Sequence, residues 1–164
     1  MKSAIGVYDT HEKAVEAIKK LKDGGFPVKQ ISLIGKTETE AVDEQMHLMP
    51  KEEIKIAGVT AGTAIGATIG ILTGVGLFAI PGFGFLFGAG ALAGAIAGFD
   101  FGLIGGGIAS VLTTVGVHEE ASKKYQKEIE NGKFLVVAHG NEEEVKHADD
   151  ILNAHGTHTD ITTH

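Results

Sequence analysis

Apolar and polar positions alternate in short runs at both ends of the chain and give way between them to a long apolar stretch. Ala4–Tyr8 reads as a strand. Asp9 follows as a helix cap, with Glu12 at the capping-box position three residues on. Ala14, Val15, Ile18 and Leu21 then give a helix one apolar face. Gly24-Gly25 and Pro27 end that helix, and Gln30–Ile34 reads as a second strand. The C-terminal segment repeats the plan. Phe134–His139 is a strand, Asn141 and Glu144 are cap and box, and Val145, Ala148 and Leu152 form the apolar stripe. Gly156 is the stop and Thr157–Thr162 a polar edge strand. Two such halves predict an α+β fold of the ferredoxin-like, split βαβ kind: a four-stranded antiparallel sheet with both helices on one face. Glu119–Glu130 reads as a further, charged helix with Ala121, Tyr125 and Ile129 on one side.

The middle of the chain has a different period. Gly58, Gly62, Gly66, Gly70 and Gly74 stand four residues apart, as do Gly90, Gly94, Gly98, Gly102 and Gly106, and the two rows mirror each other about Gly82. This pattern predicts an inserted glycine-rich helical hairpin of the transmembrane type that turns at Pro81-Gly82, with glycines allowing close backbone packing. Ala57–Ile80 would span about 36 Å as a helix and Gly84–Val117 about 50 Å, against a bilayer core of about 30 Å. The second helix is expected to weaken near Gly105-Gly106-Gly107 and to run on toward the Glu119 helix. A four-residue step drifts about 40° around a 3.6-residue helix, so one helix pair uses only part of each glycine row. The remainder predicts self-association. The chain therefore divides into 1–50 and 118–164, two halves of one domain, and 51–117, the hairpin.

Charge sharpens that division. The 164 residues carry a net charge of −7, yet between Ile56 and Val117 the one formal charge is Asp100. Both domain halves lie on one side of a spanning hairpin. With Lys51, Lys55, Lys123 and Lys124 flanking it, that side is expected to be cytoplasmic, both termini included. The acidic balance and the lack of a basic stripe argue against nucleic acid. There is no cysteine, hence no disulfide framework or thiol chemistry.

Candidate chemistry is sparse. Asp100 lies in the mirror relation opposite Ala64, near Thr60, Thr63 and Thr68, and forms with these threonines an intramembrane polar group. Asp9 and His139 each end the first strand of their half. Neighbouring strands would bring them together beside two helix N-termini, as a candidate ligand or pH site. The remaining histidines show no compact ligand spacing and are expected to be solvated. No metal, cofactor or catalytic set is expected, and the chain reads as not an enzyme.

The run Ile-Gly-Val-Tyr-Asp-Thr-His-Glu-Lys-Ala at 5–14 resembles the opening of bacterial general stress proteins of the 17M-like, heat-induced type. The layout is also similar to that of a family of bacterial membrane proteins with a split domain and a glycine-rich hairpin. These resemblances imply a non-enzymatic, stress-associated protein of the bacterial inner membrane, in contact with lipid and with further copies of itself. Two other readings stay open. One is an oligomeric pore or transport element using Asp100. The other is a soluble oligomeric sensor of a ligand or of pH, with the hairpin buried in the assembly.

Overall fold

The computed structural model of the chain describes residues 2–37, 75–80, 84–90, 92 and 107–164. In chain order the elements are β1 (Lys2–Tyr8), α1 (His11–Asp23), a 3-10 turn (Val28–Gln30), β2 (Ile31–Thr37), β3 (Val75–Ile80) and β4 (Gly84–Gly90). They continue with α2 (Gly107–Thr113), α3 (Glu119–Glu130), β5 (Phe134–Gly140), α4 (Glu142–His155) and β6 (Asp160–Thr163). The strands form one sheet in the order β3-β4-β2-β5-β1-β6, with every neighbouring pair antiparallel. The inner run β2-β5-β1-β6 is the four-stranded antiparallel sheet expected from the two halves.

Each half begins as its sequence predicts, with one shift. Asn141 caps α4 in a reciprocal box with Glu144: its side chain accepts from Glu144 N at 2.9 Å, and Asn141 N donates to Glu144 Oε2 at 2.8 Å. At α1 the cap is Thr10, not Asp9. The Thr10 hydroxyl accepts from Lys13 N at 3.3 Å, which frees the Asp9 carboxylate for other partners.

The sheet is covered on both faces, where one covered face was expected. On the first face Ala14, Ala17, Ile18 and Leu21 of α1 and Val145, Ala148 and Leu152 of α4 pack on Ala4, Tyr8, Ile31, Leu33, Val136 and Ala138. On the second, Ile108, Val111 and Leu112 of α2 and Tyr125 and Ile129 of α3 pack on Ile5, Val7, Ile34, Leu135 and Val137. Each valine, leucine or isoleucine among them contributes about 1.5–3 kcal/mol when fully buried. Ser3–Tyr8 and Leu135–Ala138 are accordingly buried without a break, the signature of strands enclosed on both sides.

The inserted hairpin departs from the sequence reading. Val75–Ile80 and Gly84–Gly90 are strands, paired from Val75↔Ala89 to Ile80↔Gly84, and β4 pairs along β2 from Ser32↔Gly90 to Thr37↔Phe85. The chain does reverse between Ile80 and Gly84, but between strands rather than helices. The physical reason is twofold. Each mid-helix glycine costs about 1 kcal/mol relative to alanine, and the outer edge of β2 offers backbone partners to an apolar run. Gly90 is thus not a helix-packing glycine. It ends β4 with φ +85°, and a Cβ there would press on the Ile31 carbonyl and Ser32. Nor does a helix run continuously into α3: Thr114–Gly116 form a turn, with Gly116 at φ +90°. Gly58, Gly62, Gly66, Gly70, Gly74, Gly94, Gly98, Gly102, Gly106, Asp100, Thr60, Thr63 and Thr68 lie outside the described residues. Among the described residues, no helix is long and apolar enough to cross a membrane.

Candidate functional site

Antiparallel pairing separates the two residues expected to form a site. Ser3 pairs with His139 and Tyr8 with Phe134. Asp9 and His139 therefore end neighbouring strands at opposite ends of the sheet, about 20 Å apart at 3.3 Å per residue. Both do end their strands as predicted, but strands that run in opposite directions carry their C-terminal ends apart. Asp9 is occupied locally. Its Oδ1 accepts from the Thr159 hydroxyl at 2.9 Å, and its Oδ2 lies 3.6 Å from Lys13 Nζ.

The His139 end of the sheet is where polar groups gather. Ser3 spends its backbone groups on the far side: its N–H donates to His164 O at 2.9 Å, and its carbonyl accepts from His164 N at 2.8 Å. Toward β5, Ser3 and His139 are thus a non-hydrogen-bonded pair, the kind that brings side chains closest, with Cα atoms about 4.5 Å apart. Ser3 is fully buried. Its Oγ, His139 Nδ1 and Ser122 Oγ of α3 are buried atoms without a hydrogen-bond partner among the described residues. Burial holds the His139 imidazole below its ordinary pKa, partly offset by Glu144.

His164 closes this end from the other edge of β1. Its Nε2 lies 2.9 Å from the Tyr125 hydroxyl. Its ring stands edge-on to Tyr125 at 5.7 Å and to His118 at 6.3 Å. The expectation of a solvated histidine fails here because β6 brings His164 beside α3, whose Tyr125 is itself buried. His164 is held below its ordinary pKa by burial first and then by His118 and Lys124, and burial raises that of Tyr125. On its other side His164 borders an open groove of about 330 Å³ with Lys2, Glu142, Val145, Lys146, Asp149 and Thr163. Lys2 and Glu142 bridge across it at 3.0 Å. No group of three or more His, Asp or Glu suited to a metal occurs among the described residues. The chemistry this end supports is proton uptake and hydrogen bonding.

Residues 3–78 match the family model of the heat-induced stress protein YflT domain. The match supports the resemblance to general stress proteins drawn from residues 5–14, and with it a stress-associated role. No curated protein and no solved structure matches the chain. The YflT match takes in β1, α1, β2 and part of β3. It therefore includes Ser3 and Asp9, whereas His118, Tyr125, His139 and His164 lie beyond it. The polar end joins a strand of the YflT region to side chains from the other half of the chain. Sequence reasoning missed His164, Tyr125, Ser3 and Ser122 as a group. The available signal was Tyr125 on the apolar side of a charged helix.

Proposed function

We propose that this chain is a non-enzymatic, stress-associated protein of the bacterial inner membrane, with both termini cytoplasmic. It self-associates through its glycine-rich insert and uses the sheet domain for structural or regulatory contacts. The stress-associated part is supported by the YflT match over residues 3–78. The link between insert and domain is supported by how the insert is fastened. Gly90 and Leu92 lie against β2, with Leu92 N donating to the buried Ser32 hydroxyl at 3.1 Å, and α2 is built into the second core. An insert clamped to the sheet at these points passes contacts made by its glycine-rich stretches to the domain. Those stretches lack charge apart from Asp100, as expected of segments that meet lipid or one another.

Purified full-length protein tests the reading by light scattering with and without detergent, alongside carbonate extraction of membranes. The expected result is a detergent-dependent oligomer that stays with the membrane pellet. A monomer recovered in the carbonate supernatant would overturn it.

A further inference from the structure

The short edge strand β6 is held at its two ends by different chemistry. At its start, Thr159 N donates to Val7 O at 2.7 Å, and Lys124 Nζ meets Asp160 Oδ2 at 2.6 Å. At its finish, the grip is His164. Its main chain is doubly bonded to Ser3 and its ring rests on the Tyr125 hydroxyl. Between these ends little is buried: Asp160, Ile161 and Thr162 are half-buried and Thr163 is exposed.

We propose that His164 is a proton-released latch: uptake of a proton on its imidazole undocks the finish of β6 from β1. The groups facing the ring decide the sign. From α3 and the residue before it come Tyr125, Lys124 and His118, whereas Lys2, Glu142, Lys146 and Asp149 line the groove on the opposite, α4 face of the sheet. Within β6, Asp160 is engaged by Lys124. An imidazolium would therefore meet His118 and the Lys124–Asp160 pair, of which Lys124 opposes its charge. His139, across β1 from His164, is likewise desolvated. The neutral ring is the form that fits.

The fold thus favours a His164 that binds its proton less readily than the unfolded chain, whose ordinary value is 6.5. A depressed folded-state pKa gives stability that is complete above the unfolded value and is lost as pH falls below it. The latch is closed at neutral pH and opens on acidification. Opening uncovers the backbone groups of Ser3, a strand edge of the kind that pairs with other strands. This inference does not depend on the insert or on its self-association.

Hydrogen exchange on the full chain at pH 7.5 and 5.5, corrected for intrinsic rates, reads the latch directly. The Ser3 and His164 amides are expected to lose protection at the lower pH, by at most about tenfold, the limit for one proton taken up at 6.5 in the open form, while Leu135–Ala138 stay protected. His164→Phe keeps a ring on Tyr125 but takes no proton, and should abolish the pH dependence. Wild-type protection that is constant between these pH values overturns the proposal, as does a pH dependence that persists in His164→Phe. Should that variant fail to fold, NMR titration of the wild-type imidazoles decides. His164 titrating below 6.5 supports the latch, and a value at or above 6.5 sinks it.

Discussion

The Ser32 hydroxyl accepts a buried hydrogen bond from Leu92 N at 3.1 Å, across 60 residues of sequence. It joins the second strand of the YflT region to the chain just beyond β4. Ser32→Ala would leave the Leu92 N–H buried without that partner, at a cost of about 1–3 kcal/mol. Urea unfolding should show this loss, and exchange at Leu92 should rise more than exchange in α1.

Two glycines with nearly the same backbone angle are expected to respond differently to alanine. Gly90 has φ +85° and backbone atoms of Ile31 and Ser32 in the way, whereas Gly25 has φ +84° and open space. Gly25→Ala should cost about 1–2 kcal/mol from the left-handed conformation alone. Gly90→Ala should cost clearly more. Were Gly90 in a helix, the substitution would instead help by about 1 kcal/mol, so thermal unfolding of the two variants tests strand β4 as well.

Leu112 is fully buried in α2, in a stretch the sequence assigns to a membrane-type helix. Its packing on the second core predicts that Leu112→Ala destabilises the sheet domain by about 2–5 kcal/mol. Near-wild-type stability in denaturant would show that α2 is not part of that core.

The two helix caps give a sharper contrast. Thr10→Ala and Asn141→Ala should each cost about 1 kcal/mol. Asp9→Ala removes an exposed ion pair and the bond from Thr159, and should leave the α1 cap intact. Circular dichroism melts of the three variants would separate these roles.

The hydrogen bond from Lys124 holds the Asp160 carboxyl below its ordinary 3.8. A depressed carboxylate contributes stability that is present above the unfolded value and is lost as pH falls through the folded one. The pair is exposed, so Asp160→Asn should cost under about 1 kcal/mol at pH 7. That difference should vanish well below pH 3.8. This acid window lies below that of His164, so stability curves of the two variants should be distinguishable.

Much of the fold is legible along the chain. The Asn141–Glu144 box, the apolar faces of α1 and α4 and the β1-β5 neighbourhood all follow from local pattern. The apolar stretch was harder to read, because a short uncharged run does not distinguish a strand from a buried helix by periodicity alone. Phe83, Phe85 and Phe87 do alternate with period two, and this was the strand signal within the glycine repeat. The candidate site was legible only in part. His139 stands out by its place at a strand end, but Asp9, the partner the sequence suggests for it, lies at the other end of the sheet.

By itself the sequence determined two βαβ halves, the Asn141–Glu144 cap, the glycine stops and the nearly charge-free block between the halves, because these depend on residues within one turn or strand of each other. Tertiary structure decided that β3 and β4 extend the sheet, that α2 and α3 cover its second face, and that His164 rather than Asp9 shares an end with His139. Each of these depends on which backbone edge or apolar face is free to receive a distant segment. Antiparallel pairing, which sends neighbouring strands in opposite directions, then fixes which side chains meet.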